Sequence, residues 1–192
     1  LLAVLLAGCA GPPALRLTDS DRAEIGRIEA YLNAIPRFEA HFTQYGAFGP
    51  GAGLVWLDRP GHLRVDYAGA ASRLLVVADG RVLVLDRSNG SITTMPLSRS
   101  PLAILLTPSI HLSGAVTVVS LQHTQGTVQI TLKKTDQPGQ GSLTLSLADQ
   151  PLRLQSVSIT DPYNRVLTMA LSDIDTRPVV TAGLFRLPPS GS

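Results

Sequence analysis

The sequence is short of cysteine and of charge. One of its 192 residues is a cysteine, Cys9, so no disulfide can close within the chain. With four histidines (His41, His62, His111, His123) on separate segments and no ligand spacing among them, a metal centre is not expected either. Charged residues make up 16% against 44% hydrophobic, which is enough apolar material for a sizeable core and excludes a disordered chain. The net charge is +2, and Lys133-Lys134 is the one adjacent basic pair. A nucleic-acid binder would carry a basic stripe interleaved with aromatics, so nucleic acid is not an expected partner.

Motifs of enzymes are also missing. There is no Gly-x-Ser-x-Gly elbow, no Walker loop, no His-Glu-x-x-His and no Gly-x-Gly-x-x-Gly. Asp58 and Asp66 flank Arg59 and could form a carboxylate pair. Read singly, they are a turn acid and a strand-surface acid. The residues predict neither enzymatic activity nor a cofactor.

What is present begins with a processing signal. Leu1 to Ala10 reads as the apolar end of an export signal, too short to span a bilayer as a helix. The chain is expected to start part-way through that signal. Leu6-Ala7-Gly8-Cys9 matches the bacterial lipobox, which predicts cleavage before Cys9 and acylation of its thiol. An ordinary secretory signal with a chance cysteine is the alternative. Residues 1–8 are then a lipoprotein signal, 9–17 a tether containing Pro12-Pro13, and 18–192 one domain.

Thr18 to Ile35 reads as a helix. Thr18 or Ser20 can cap it, Asp19 and Asp21 suit its first turn, and Ile25, Ile28, Leu32 and Ile35 form an apolar stripe before Pro36 ends it. From Phe38 the period becomes two. Short strands follow around Phe38–Thr43, Leu54–Asp58, Leu63–Tyr67, Leu74–Val77, Val82–Leu85 and Ser91–Met95. They resume at Ala115–Gln122, Thr127–Lys133, Ser142–Leu147, Leu152–Thr160 and Arg165–Ile174. Asp79-Gly80 is a strong hairpin signal. Arg99 to Leu106 breaks the strand pattern as a short apolar helix that must cover something. Ten or eleven strands joined by hairpins predict an antiparallel sheet, strongly curved or partly closed.

Several stretches, in this order, resemble the outer-membrane lipoprotein carrier (LolA) family. They are Arg37-Phe38-Glu39-Ala40-His41-Phe42-Thr43-Gln44 after a helix, Gly53 to Tyr67 with its Arg59-Pro60 step, Leu75-Val76-Val77-Ala78-Asp79-Gly80, Pro101 to Leu106, and Phe185-Arg186-Leu187-Pro188-Pro189. The resemblance runs from about residue 20 to the C-terminus. It implies a mainly β fold, a half-open antiparallel barrel of about eleven strands wrapped around a hydrophobic cavity with helices as covers. It further implies a periplasmic carrier that takes acylated lipoproteins from an inner-membrane lipoprotein-releasing transporter and passes them to an outer-membrane acceptor. A monomer is expected.

By the same resemblance Arg59 is the latch that hydrogen-bonds to backbone groups of the lid, as a fork of donors can. Phe42, Trp56, Leu63, Val65, Leu102, Leu105 and Leu106 are candidates for the cavity, its mouth or its lid, with ordinary core packing as the alternative for each. Leu63 stands where the carriers have an aromatic. Cys9 is the departure from the carriers, which are not lipidated. A lipidated Cys9 followed by Ala10 would tether the chain to the outer membrane, and that raises a second reading: a membrane-anchored acceptor, or another lipid-handling lipoprotein of the same fold.

Overall fold

The computed structural model describes residues 16–69, 73–181 and 183–187. Cys9, the lipobox and most of the expected tether lie outside the described residues.

One helix, α1 (Asp19–Ala34), precedes eleven strands: β1 (Arg37–Gly46), β2 (Gly51–Asp58), β3 (His62–Tyr67), β4 (Arg73–Ala78), β5 (Arg81–Asp86), β6 (Ser91–Pro96), β7 (Val116–Thr124), β8 (Thr127–Lys134), β9 (Ser142–Ala148), β10 (Arg153–Thr160) and β11 (Val166–Asp175). They form one antiparallel sheet in the order β6-β5-β4-β3-β2-β1-β11-β10-β9-β8-β7. The first and last strands pair at its centre, and β6 and β7 are left as its two unclosed edges. The expected fold class, mainly β with an open antiparallel barrel of about eleven strands, is what forms.

Local chemistry sets the turns. Between Ala78 and Arg81, which face each other in the ladder, Asp79 and Gly80 both adopt positive φ, 49° and 69°. That is the two-residue hairpin which the Asp-Gly pair favours. Along β1 the side chains of Phe38, Ala40, Phe42 and Gln44 are buried and those between them are more exposed, so one face of the sheet is a core and the other is not.

Thr18 caps α1 in a reciprocal box. Its hydroxyl accepts from the Asp21 backbone N–H at 3.1 Å, and the Asp21 carboxylate accepts from the Thr18 N–H at 2.8 Å. The apolar stripe buries Ile25, Ile28 and Leu32. At about 1.5–3 kcal/mol for each fully buried aliphatic, that burial outweighs a cap of about 1 kcal/mol; packing, rather than the helix's own termini, holds α1 in place. Polar ties fix its direction. Arg27 reaches Glu24 and the Asp149 carboxylate and carbonyl in the β9–β10 turn, and the Tyr31 hydroxyl accepts from the Leu154 N–H at 2.8 Å.

The helix expected at 99–106 forms, but as two 3-10 segments, Leu97–Arg99 and Pro101–Leu106. Ser100 caps the second by accepting from the Leu102 N–H at 3.2 Å. Pro101 and Pro108 bracket it and leave too few residues to repay α-helix nucleation, whereas 3-10 hydrogen bonds close in a single turn. This segment spans the stretch between the two sheet edges and buries Pro101, Ile104, Leu105 and Leu106 against the concave face.

Candidate lipid-binding site

Between the sheet and the Pro101–Leu106 segment lies an apolar cavity of about 130 Å³. Phe38 on β1, Val55 and Leu57 on β2, Leu63, Val65 and Tyr67 on β3, and Leu75 on β4 form one wall. Val157 and Ile159 on β10 with Leu167 and Met169 on β11 form another, and Leu102, Leu105 and Leu106 close it from above. Period two explains the set. Leu63, Val65 and Tyr67 alternate on β3, and the ladder places Leu63 opposite both Leu57 and Val77 and Val65 opposite Val55 and Leu75.

Of the residues singled out in the sequence, Leu63, Val65, Leu102, Leu105 and Leu106 line this cavity. Phe42 does not. It is buried further along β1 from Phe38, behind Tyr67, with its ring edge-on to that residue at 5.1 Å between centroids. The ring has room there because residue 53 is a glycine: a Cβ at Gly53 would lie 1.9 Å from the Asp66 carbonyl oxygen and 3.1 Å from the Phe42 ring.

Trp56 is a correction. It sits between the inward-facing Val55 and Leu57, so it points to the opposite face of the sheet, and its indole N–H donates to Glu39 at 2.7 Å. Leu54-Val55-Trp56-Leu57 is an unbroken apolar run, and such a run carries no period from which to choose a face. The register settles it, because Phe38, which faces inward, pairs with Leu57.

Among the described residues Tyr67 is the one polar-tipped side chain in the lining. Its hydroxyl donates to the Gln44 carbonyl oxygen, and the Gln44 amide donates to the Gly49 carbonyl at 3.1 Å. Gln44, 3% exposed, is thus a buried polar group with both ends paired. Burial pushes the Tyr67 phenol above its ordinary pKa, against a smaller opposing effect of Arg73. Neither residue stood out in the sequence. Continuing the β3 alternation by two from Val65 finds Tyr67.

At the other end of the cavity is a node of hydrogen bonds around Arg59. Its guanidinium donates to the Leu32 carbonyl in the last turn of α1 and, at 3.2 Å, to the Asn33 side-chain oxygen. The last turn of α1 contains no basic residue of its own. Arg59 therefore supplies from another element the positive charge that a helix C-terminus favours. Burial lowers the Arg59 pKa, but a guanidinium remains charged throughout the accessible pH range.

Asn33 extends the node. Its oxygen also accepts from the Ile110 N–H and its amide donates to the Ile110 carbonyl, both at 2.9 Å. Glu29, one turn earlier, accepts from the Leu112 N–H at 2.7 Å. The Gly61 N–H, two residues beyond Arg59, donates to the Leu106 carbonyl at 2.9 Å. The β2–β3 turn thereby holds α1 through Arg59 and the end of the 3-10 segment through Gly61. Asn33 was not read from the sequence, where a polar residue near a helix end carries no distinguishing pattern.

The two acids considered as a pair are separated. Asp58 pairs with Arg37 at 2.9 Å, and Asp66 pairs with Arg64 and Arg87 at 2.7 and 2.8 Å. Arg64 also donates to the Leu184 carbonyl at 3.0 Å, tying the C-terminal segment to the outer face. Among the described residues no group of His, Cys, Asp and Glu is placed to hold a metal ion, and no helix is long and apolar enough to cross a membrane.

An open antiparallel barrel with a helix-covered apolar hollow is the architecture of a class of envelope proteins that bind lipoproteins and lipids. The chain belongs to the LolA family: the model for the outer membrane lipoprotein carrier protein LolA matches residues 34–188. Among solved structures it is similar to an uncharacterized conserved protein from Thermus thermophilus (TM-score 0.50, 11% identity, covering 88% of this chain and 94% of that one). It is also similar to a putative outer membrane lipoprotein-sorting protein domain from Vibrio parahaemolyticus (TM-score 0.50, 9% identity, 84% and 94%). A third is a DUF1329 family protein from Desulfovibrio piger (TM-score 0.50, 7% identity, 88% and 98%). At these identities the likeness is one of fold. Among curated proteins no match is found.

Proposed function

We propose that this chain is a periplasmic carrier that encloses the acyl chains of lipoproteins in the cavity beneath Pro101–Leu106 and delivers them toward the outer membrane, acting as a binding protein rather than an enzyme. The observation that carries this is a lining made of apolar and aromatic side chains from six strands and the 3-10 segment, with the Tyr67 hydroxyl already paired.

Magnitude defines how it works. At about 130 Å³ the hollow is below the roughly 300–1,000 Å³ of ordinary ligand pockets, so this is the closed form and loading requires the 3-10 segment to lift. Shielding roughly ten methylenes from water is worth about 8 kcal/mol. Against it stand the Arg59 hydrogen bonds, each worth about 1.5–3 kcal/mol as bonds to a charged donor. A cover held by a few such bonds opens for an acyl chain and recloses without one. Arg59 is the latch in this reading, acting on α1 directly and on the 3-10 segment through the same turn.

The donor would be an inner-membrane lipoprotein-releasing transporter and the recipient an outer-membrane acceptor. A photocrosslinker replacing Leu102, a half-buried residue of the lining, tests this in cells. The carrier reading requires crosslinks to acylated lipoproteins that vanish when lipoprotein acylation is blocked. Crosslinks that persist without acylation would refute it.

The lipobox-like Leu6-Ala7-Gly8-Cys9 favours a second reading, a membrane-anchored acceptor or lipid-handling lipoprotein with the same cavity. Metabolic labelling with an alkyne palmitate analogue separates the two: label on the wild type that is lost in Cys9→Ala supports the tethered form.

A further inference from the structure

The apolar cavity has a polar group at each end, and the two ends differ. At one end the Tyr67 hydroxyl is taken up by Gln44, whose amide is taken up by the Gly49 carbonyl. At the other end a smaller apolar hollow adjoins the first. Phe38, Leu57, Leu105 and Val157 line both, and Arg59 lines the smaller one beside Leu32 and Ile35. Those shared side chains partition one apolar space, with a guanidinium on the far side of them. Leu105 belongs to the 3-10 cover, so the lifting that loads the cavity also withdraws one of the dividers in front of Arg59.

That guanidinium has no counter-ion. Among the described residues two half-buried arginines meet no carboxylate, Arg73 and Arg59. Arg73 lies over the Tyr67 ring, 5.4 Å from its centroid. Arg59 has the Leu32 carbonyl and the Asn33 side-chain oxygen, which leave the rest of its donor fork without a protein acceptor. The acids beside it are engaged elsewhere. Asp58 pairs with Arg37 at 2.9 Å; Glu29 accepts from the Leu112 N–H at 2.7 Å and lies 3.7 Å from the His111 Nδ1. Hydrogen bonds to Glu24 and Asp149 raise the Arg27 pKa, whereas burial lowers that of Arg59 with no acid to oppose it. An unpaired positive charge set against apolar walls favours an anion there.

We infer that the joined hollows take a single-chain anionic amphiphile, with its hydrocarbon chain in the cavity and its carboxylate or phosphate head on Arg59. This adds a head-group preference to the reading of the cavity as an acyl-chain site, and rests on it. A planar guanidinium suits either head, because its parallel N–H donors match two oxygens of a carboxylate or of a phosphate. The Tyr67 end offers no such partner, since its hydroxyl and the Gln44 amide are already paired.

The test is isothermal titration calorimetry of the full chain with decanoate, decyl phosphate and decanol at about pH 8, where the acids are ionised. The wild type should bind at least one of the anions about tenfold or more tighter than decanol, and the tighter anion identifies the head group. Arg59→Met should bring that ratio to about one. Because the preference is a ratio within each protein, any loosening of the cover cancels from it. Carbon-13 NMR of carboxyl-labelled decanoate reads the same contact in the wild type alone. A carboxylate on Arg59 has its pKa held below that of the free acid, whereas one enclosed by apolar walls has it raised. The head-group site is refuted if decanol binds as tightly as both anions, if the preference survives Arg59→Met, or if the bound decanoate pKa is raised. Decanol binding without any preference for the anions would leave the cavity reading standing, whereas failure of all three ligands to bind would refute both.

Discussion

The Arg59 guanidinium donates to the carbonyl of Leu32, 27 positions away in sequence, and so ties the turn after β2 to the last turn of α1. Arg59→Met keeps the apolar stem and removes the donors. It should cost roughly 1.5–3 kcal/mol of stability for each charged hydrogen bond lost, measured by urea denaturation. Hydrogen exchange should show faster opening of 106–112 than of the β8–β9 ladder. Uniform protection equal to wild type would mean that the arginine is not a latch.

Asn33 satisfies both the N–H and the carbonyl of Ile110. Asn33→Ala leaves these two backbone groups partnerless, a cost of about 1–3 kcal/mol for each that stays buried. The expected result is a drop in thermal midpoint together with loss of amide protection at Ile110. Loss of protection confined to α1 would show that Asn33 stabilises the helix rather than the segment after the lid.

Val65 lines the cavity between Leu63 and Tyr67 on β3. Val65→Phe should fill it, at an overpacking cost of about 1–3 kcal/mol, and should weaken fatty-acid binding at least about tenfold. Circular dichroism would confirm that the sheet is retained. Unchanged affinity in a folded variant would place the ligand elsewhere.

Asp66 gives a pH signature. Burial alone would raise its pKa; hydrogen bonds and charge from Arg87 and Arg64 outweigh that and hold it below its ordinary 3.8. A carboxyl depressed in the folded state stabilises fully above its unfolded pKa, and that contribution is lost as pH falls through the folded value. Asp66→Asn should therefore be less stable than wild type near neutral pH, with the gap closing below about pH 4. A gap that persists at low pH would assign the effect to packing instead.

Much of the fold was legible because it rests on local rules. The alternation of Phe38, Ala40 and Phe42, the Asp79-Gly80 hairpin and the Thr18 cap each carry their structure in a few residues. Leu63 and Val65 were readable as inward-facing for the same reason. Trp56 was not, since an apolar run gives no face until β1 supplies the register. The 3-10 form of Pro101–Leu106 depends on two prolines and on the sheet beneath it, and the sequence pattern showed only that the segment is apolar. The far wall from Val157 to Met169 enters the site through long-range pairing of β1 with β11, and Asn33 and Gln44 enter it through contacts with Ile110 and Tyr67 far along the chain; no local period reports either. The role of Arg59 came from family resemblance alone; its partners on α1 came from the structure.

The most direct measurement is native mass spectrometry of the delipidated protein with an acylated lipopeptide and with the same peptide lacking its acyl chains. The account predicts a one-to-one complex with the acylated form, none with the bare peptide, and loss of the complex in Val65→Phe. Equal binding of both peptides, or acylated-peptide binding undiminished in a folded Val65→Phe variant, would contradict it.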